Sequence, residues 1–211
     1  MSLPPLPALY VIVDPLDTGH TPLALALAYL AGGARLLQLR LKGATVREVY
    51  ETALAMRRLT ATHGAAFIVN DRPDVAAAVQ ADGVHLGQDD VPVAVARAIL
   101  GPGRWIGVST HDVDEARAAI AAGADYLGVG PIFDTASKVG ALPARGLALL
   151  ERVRGLTDRP LVAIGGIDAD TAPRVQAAGA DAVAMIAALT RAPDPVETVR
   201  ALVTRLGPVR T

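Results

Sequence analysis

The sequence contains no cysteine, few aromatic residues and no long apolar run. Without cysteine the chain can form neither a disulfide bond nor a thiolate metal site. A membrane-spanning helix needs about 18 or more consecutive apolar residues, and every apolar run here is shorter. The formal net charge of −1 lacks the basic excess of a general nucleic-acid binder. We therefore expect neither nucleic acid nor a membrane as a partner.

The first ten residues, MSLPPLPALY, have neither the basic start nor the continuous apolar core of a secretory signal. We therefore expect a cytoplasmic protein. A local anion site needs only a few Lys, Arg and backbone N–H groups, so small phosphorylated molecules are plausible partners despite the near-neutral charge. The composition is compatible with a monomer and with a homo-oligomer.

Small apolar residues, by contrast, are abundant, and hydrophobic residues make up 52% of the 211-residue chain. Four related blocks recur: AGGARLLQLR, VQADGVHLGQ, AAGADYLGVG and AAGADAVAMI. The blocks share, in register, Ala34, Ala81, Ala124 and Ala180. Each is typical of a helix end, a turn and a buried strand. Gly33, Gly123 and Gly179 are predicted to terminate the helices, since glycine adopts positive φ readily, whereas the second block has Gln80.

Four further strand-like segments alternate with the blocks: LYVIVD precedes the first block, and AAFIVND, WIGVSTH and PLVAIGG lie between successive blocks. Patterns typical of helices separate the segments from the blocks. Each gap has room for two βα units of roughly 20 to 30 residues. Eight alternating units predict an α/β fold, a single-domain (β/α)₈ TIM barrel over residues 1–211, with right-handed crossovers. The alternative is an open doubly wound sheet.

In such a barrel the active site lies at the carboxyl ends of the strands, and the polar residues concentrate there. Gln38, Arg40 and Lys42 alternate at the end of the second strand, so they share one face. Two cations at a barrel mouth are costly without an anion to meet them. In the alternative interpretation Arg40 pairs with an acidic residue of the protein and Lys42 is solvated.

The third and fourth strands end in acidic residues. Asn70 and Asp71 follow the third strand, and Asp90 follows the fourth. Each aspartate is also placed to be an ordinary helix cap. Together they predict a Mg²⁺ site, because Mg²⁺ takes one or two carboxylates and completes its shell with substrate phosphate oxygens. With Arg40 and Lys42 they make a metal–diphosphate site.

The remaining strand ends predict a second anion site. The loop at residues 134–146 holds Thr135, Ser137 and Lys138, and we expect Lys138 to close over a bound anion. Gly165-Gly166 would let a ligand approach the backbone. The N–H groups of Gly166, Ile186 and Ala187 are placed to hold a phosphate monoester, because the loops after strands seven and eight bind phosphate in this fold.

Three further polar residues are ambiguous. His85, within the fourth strand, is predicted to be a hydrogen-bonded core residue. Ser109 and His111, at the end of the fifth strand, are either helix caps or phosphate contacts.

Two facing anion sites indicate a group transfer in which diphosphate is the leaving group.

The sequence resembles the thiamine phosphate synthase family over nearly its whole length. The matching segments are LYVIVD, QLRLK, IVNDRPD, ADGVHLGQDD, IGVSTH, GADYLGVGPIF, TASK, AIGGI and MIAAL. The resemblance implies a transferase that joins hydroxymethylpyrimidine diphosphate to a phosphorylated hydroxyethylthiazole. It also implies a Mg²⁺-assisted dissociative mechanism, in which diphosphate leaves before the thiazole nitrogen attacks the pyrimidine-methyl cation.

The resemblance assigns roles to particular residues. The implied pyrimidine diphosphate contacts are Gln38, Arg40, Lys42, Asn70, Ser109 and Lys138. The implied thiazole phosphate contacts are Thr135, Ser137, Gly166, Ile186 and Ala187. Leu39, Leu41 and Ala136 are implied to bind substrate. The implied Mg²⁺ ligands are Asp71 and Asp90. The residues implied to assist the chemistry are Arg40, Lys42, Ser109 and Lys138.

Some positions depart from the family pattern. Val139-Gly140 stands where many members have an acidic residue, and a glycine-rich loop is found in the sister family of metal-free thiazole tautomerases. That family tends to carry a histidine at the position of Pro131 and to lack the paired carboxylates, which favours the synthase here. The alternatives are a tautomerase-like isomerase, a non-catalytic thiamine phosphate-binding paralogue, or another phosphate-binding barrel such as a sugar-phosphate epimerase.

Overall fold

The computed structural model describes residues 5–16, 18–135 and 142–207. Eight parallel strands close into a barrel in chain order, with β1 paired to both β2 and β8. The strands are β1 (Leu9–Val13), β2 (Leu36–Leu39), β3 (Ala66–Asn70), β4 (Gly83–Leu86), β5 (Trp105–Thr110), β6 (Tyr126–Val129), β7 (Leu161–Ile164) and β8 (Ala182–Met185). The predicted barrel is confirmed, and the open sheet is excluded.

Nine helices lie outside the barrel within the described ranges. They are α1 (Pro22–Ala31), α2 (Val46–Thr62), α3 (Pro73–Ala78), α4 (Val93–Leu100), α5 (Val113–Ala121), α6 (Gly146–Arg154), α7 (Ala172–Ala177), α8 (Ala187–Thr190) and α9 (Pro195–Leu206). Local sequence explains several starts. Thr45 and Glu48 form a capping box at α2, and Asp112 accepts N–H groups of the first turn of α5. None of these helices has the length and apolar character needed to span a membrane.

The predicted helix terminators occupy left-handed backbone positions. Gly33, Gly123 and Gly179 have φ of 98°, 86° and 107°. Gln80, the non-glycine member of the series, has φ of 55°. Each repeat therefore makes the same turn from helix to strand, and in the second repeat a residue with a Cβ adopts the left-handed conformation at an energetic cost.

Apolar side chains form two separate cores. Alternate residues of each strand point to opposite faces, so Val11 and Val13 of β1 pack in the layer between strands and helices. Tyr10 and Ile12 pack inside the barrel, with Tyr126 of β6 among their neighbours. The inner core therefore contains bulky rings that carry hydroxyl groups.

An aspartate–arginine contact repeats at the amino ends of the strands. The Asp125 carboxylate, just before β6, accepts the N–H of Ile106 at 2.7 Å and pairs with Arg97 of α4 at 2.5 Å. The equivalent contacts are Asp82 with Phe67 N and Arg57, and Asp181 with Leu161 N and Arg154. These three aspartates follow the shared alanine of the sequence blocks. Arg35 takes that place in the first block.

Candidate active site

Arg40 meets a carboxylate at the carboxyl end of the neighbouring strand. Asp14 directly follows β1 and is buried. Arg40 pairs with it, and only 12% of the Arg40 side chain is exposed. The backbone continues the ladder, since Arg40 N donates to Val13 O at 3.0 Å. The part of the alternative interpretation in which Arg40 pairs with an acidic residue of the protein is confirmed. Asp14 is a site residue that the sequence reasoning missed, although it closes the strand-like segment LYVIVD.

Lys42 pairs with Asp71 at the end of β3. Its side chain is 60% exposed, whereas the Asp71 side chain is 20% exposed. Asp71 has φ of 61°, a left-handed conformation that aspartate tolerates better than most residues. Its N–H donates to His85 O at 2.8 Å. The ammonium group is therefore exposed to solvent yet held against a carboxylate, and it is not simply solvated.

Asp71 and Asp90 lie beside each other. Burial raises the pKa of the Asp90 carboxyl, and its hydrogen-bonding contact with the Asp71 carboxyl raises this pKa further, whereas the Gly87 N–H lowers it. That N–H donates to Asp90 Oδ2 at 2.7 Å. Two carboxylates held in contact repel each other unless a proton or a cation lies between them.

Neither aspartate is a helix cap. The N-cap of α3 is Arg72 and that of α4 is Pro92, and neither makes a side-chain cap hydrogen bond. The capping interpretation of Asp71 and Asp90 is therefore wrong. In the described part of the chain no group of three or more His, Cys, Asp or Glu side chains is arranged for a metal ion. The pair offers two hard oxygen ligands, which fits Mg²⁺ provided that water and substrate phosphate complete the shell.

A continuous chain of hydrogen bonds crosses the barrel interior. Gln38 Nε2 donates to the Tyr10 hydroxyl at 2.7 Å, and the Tyr10 and Tyr126 hydroxyls are 3.0 Å apart. The Tyr126 hydroxyl lies 3.0 Å from His85 Nδ1, and His85 Nε2 lies 2.9 Å from Ser109 Oγ. The chain joins β2, β1, β6, β4 and β5. The prediction that His85 is hydrogen-bonded is confirmed, and its side chain is half-buried within β4.

Two glycines make room for the rings of this chain. A Cβ on Gly107 would lie 2.0 Å from Tyr126 Cζ, and a Cβ on Gly128 would lie 3.0 Å from His85 Cε1. The His85 and Tyr126 rings stack with their centroids 5.5 Å apart. The rings are therefore packed against backbone on one side and against each other on the other.

A cavity of about 480 Å³ opens beside Ser109 at the carboxyl ends of β5 to β8. The predicted site residues that line it are Ser109, His111, Thr135, Gly166, Ile186 and Ala187. Asp134, Asp168 and Arg191 also line it, and the sequence reasoning missed them. Arg191 is the C-cap residue that directly follows α8, so it supplies a cation at the wall where phosphate binding is predicted.

Gly165 and Gly166 both have positive φ, of 100° and 63°. A Cβ on Gly165 would lie 2.5 Å from Pro131 Cβ, and one on Gly166 would lie 2.5 Å from Asp134 O. The segment that packs against this glycine pair is therefore the loop after β6. Both glycines also line the cavity, so the approach of a ligand to their backbone stays a prediction.

Not every predicted residue points its side chain to the site. Leu39 belongs to the core between strands and helices, and Leu41 packs against that core, so only their backbone atoms are available at the strand end. Asn70 ends β3, half-buried, opposite His85 in the ladder. His111 does line the cavity, and its Nδ1 lies 2.8 Å from Glu115 Oε2. It does not cap α5, and neither does Ser109. Residues Ala136, Ser137 and Lys138 lie outside the described residues.

A family model described as thiamine monophosphate synthase matches residues 9–189, which extend from the first residue of β1 into α8. The chain belongs to the thiamine monophosphate synthase family. This membership confirms the resemblance found in the sequence.

Members of the thiamine monophosphate synthase family resemble the chain over almost its full length. It is 49% identical over 195 residues to the thiamine-phosphate synthase of Moorella thermoacetica, covering 92% of this chain and 93% of that protein. It is 48% identical over 203 residues to that of Chlorobium phaeovibrioides, covering 96% of each. A solved thiamine phosphate pyrophosphorylase from Pyrococcus furiosus superposes with a TM-score of 0.85 at 40% identity, covering 94% of each chain.

Proposed function

We propose that the protein is a thiamine-phosphate synthase that joins a hydroxymethylpyrimidine diphosphate to a hydroxyethylthiazole phosphate, with or without a carboxyl group on the thiazole. The products are thiamine phosphate and diphosphate. The observation that carries the proposal is that two different regions, a charged cluster and a cavity, lie side by side at one barrel end. A charged cluster of Asp14, Arg40, Lys42, Asp71 and Asp90 lies at β1 to β4, and the cavity lies at β5 to β8.

The charge of the cluster supports a Mg²⁺ requirement. Three carboxylates and two cations give it a formal excess of one negative charge, which opposes the binding of a diphosphate on its own. Asp71 and Asp90 would hold Mg²⁺. When bound there, Mg²⁺ supplies positive charge that neutralises the diphosphate and favours its departure. The two adjoining carboxylates favour the synthase over the tautomerase, because a metal-free isomerase has no use for a carboxylate pair that binds a metal ion.

Arg40 and Lys42 have the charge and the hydrogen-bond donors to stabilise the leaving diphosphate. Each is already oriented by a carboxylate, Arg40 by Asp14 and Lys42 by Asp71. Oriented donors stabilise developing negative charge without first having to reorganise. Ser109 lies between the charged cluster and the cavity, where it would contact the pyrimidine ring. Lys138 is proposed to approach the diphosphate from the loop at residues 134–146.

The cavity suits the second substrate. A volume of about 480 Å³ is typical of a small-molecule site. The backbone N–H groups of Gly166, Ile186 and Ala187 and the hydroxyl of Thr135 are proposed to hold the thiazole phosphate, with the Arg191 guanidinium nearby. The thiazole nitrogen would then face the carbon that loses diphosphate. Positioning two bound substrates in this way replaces a covalent enzyme intermediate.

A product assay tests the proposal. The purified protein is mixed with both phosphorylated substrates, with and without Mg²⁺, and thiamine phosphate and diphosphate are quantified. We expect the two products in equal amounts, and only when Mg²⁺ is present. Product formation that is unaffected by chelation would remove Asp71 and Asp90 from the mechanism. Tight binding of thiamine phosphate without any turnover would instead establish a non-catalytic paralogue.

A further inference from the structure

The hydrogen-bonded chain from Gln38 to Ser109 contains three residues to which the proposed reaction gives no task. They are Tyr10, Tyr126 and His85. We propose that these three residues are positioning residues that impose one direction on the protons of the chain. In this arrangement Ser109 Oγ–H is presented as a hydrogen-bond donor to an acceptor nitrogen of the substrate's pyrimidine ring. The inference rests on the proposed function for the identity of the ligand, but not for the direction of the chain.

The direction follows from the donor at one end. Gln38 Nε2 donates to the Tyr10 hydroxyl, so the Tyr10 proton is left for the Tyr126 hydroxyl 3.0 Å away. The Tyr126 proton then goes to His85 Nδ1. A neutral imidazole that accepts at Nδ1 carries its proton at Nε2, so His85 donates to Ser109 Oγ at 2.9 Å. Ser109 keeps its own proton for the cavity that it lines.

Burial keeps the chain intact. Burial raises the pKa of both Tyr10 and Tyr126 far above the ordinary value of a tyrosine, so both hydroxyls retain their protons at physiological pH. A buried hydroxyl without a partner costs about 1 to 3 kcal/mol, which favours a chain in which every donor has an acceptor. The reverse proton order would make Ser109 donate to His85 and leave it without a donor for substrate.

Packing prevents the rings from turning away. Gly107 lets the Tyr126 ring lie directly on the β5 backbone, and Gly128 does the same for His85 on β6. The Tyr10 and Tyr126 rings meet edge to face at 67°, with centroids 6.1 Å apart. The geometry thus holds every link of the chain within hydrogen-bonding distance, from Gln38 on β2 to Ser109 on β5.

The first test is the tautomer of His85 in the wild-type protein, read from the side-chain ¹⁵N resonances without any substrate. The chain has four histidines, and a His85→Gln variant assigns the resonance. We expect a neutral ring protonated at Nε2. A ring protonated at Nδ1 would overturn the proposed direction. Because this measurement needs no turnover, it separates the chain from the proposed function.

The second test is Tyr126→Phe, which removes the central hydroxyl but keeps the ring. We expect the His85 resonances to shift toward a mixture of tautomers. We also expect KM for the pyrimidine diphosphate to rise about tenfold, with KM for the thiazole phosphate unchanged. Tyr10→Phe breaks the chain one link earlier and should act in the same direction, so it keeps the test available if Tyr126→Phe does not fold.

A matched control is Thr60→Val, which removes a fully buried hydroxyl from α2, outside the barrel. It should change neither the His85 resonances nor either KM. If Tyr126→Phe raises both KM values equally, its hydroxyl is merely structural and the proposal is wrong. The same conclusion follows if Tyr126→Phe matches Thr60→Val in the His85 resonances or in KM for the pyrimidine diphosphate.

Discussion

Replacing Asp125 by alanine should destabilise the barrel although the residue is far from any proposed chemistry. Its carboxylate accepts the N–H of Ile106 at 2.7 Å and pairs with the guanidinium of Arg97 at 2.5 Å. Ile106 is fully buried, so in the Asp125→Ala variant its N–H has no side-chain acceptor. The perturbation therefore removes one buried hydrogen bond and one partly buried ion pair.

The magnitude follows from these two losses. An unsatisfied buried donor costs about 1 to 3 kcal/mol. The Arg97 and Asp125 side chains are 31% and 25% exposed, so solvent screens their ion pair and it contributes less than about 1 kcal/mol. We expect the free energy of unfolding to fall by about 2 to 3 kcal/mol. In a chain of this length that lowers Tm by roughly 5 to 10 °C.

Urea unfolding monitored by circular dichroism measures this change. Asp114→Ala is the matched control, because the side chain is 91% exposed and pairs with Arg117 at 3.3 Å on the surface of α5. Equal stabilities of the Asp125 and Asp114 variants would refute the reasoning that the carboxylate holds the strand end.

Three further predictions concern the site and the backbone. Asp90→Ala should cut turnover at least about tenfold and weaken Mg²⁺ dependence while leaving Tm within a few degrees, because its role is proposed to be in metal binding; unchanged metal-dependent kinetics would remove Asp90 from the site. Gln80→Gly should stabilise the protein by about 0.5 to 1 kcal/mol in urea unfolding, because φ of 55° strains any residue with a Cβ; no gain would mean that the turn is unstrained. Burial raises the pKa of Tyr29 to about 12, whereas tyrosine in the unfolded chain titrates near pH 10. The stability that the neutral Tyr29 hydroxyl contributes is therefore fully present below pH 10 and is lost as the pH rises toward 12. Tyr29→Phe should reduce that alkaline loss in unfolding experiments, and an identical pH profile would contradict the assignment.

The barrel could be predicted from the sequence because its repeats are local. Each block contains its own helix end, turn and strand, and Gly33, Gly123 and Gly179 mark the turns. Gln80 departs from the glycine pattern, yet its backbone adopts the same left-handed conformation, because the helix and strand on either side require the same turn. The position of Arg40 at a strand end also predicted that it would need an anionic partner, because a buried guanidinium requires one.

Long-range partners could not be predicted in the same way. Asp14 meets Arg40 only because β1 pairs with β2 in one particular register. Tyr10 and Tyr126 are 116 residues apart in the chain, and no local pattern links them. Asp71 and Asp90 had the sequence context of helix caps, and only the actual cap residues excluded that role.

The ring of Tyr126 over Gly107 also constrains how this barrel can change during evolution. A Cβ at position 107 would lie 2.0 Å from the ring, which is far shorter than any contact between two non-bonded carbon atoms. A lineage can therefore enlarge residue 107 only after residue 126 has become smaller, and the smaller residue interrupts the link to His85. The two positions should be inherited as a pair, and a descendant that has lost the tyrosine is the one in which residue 107 is free to vary.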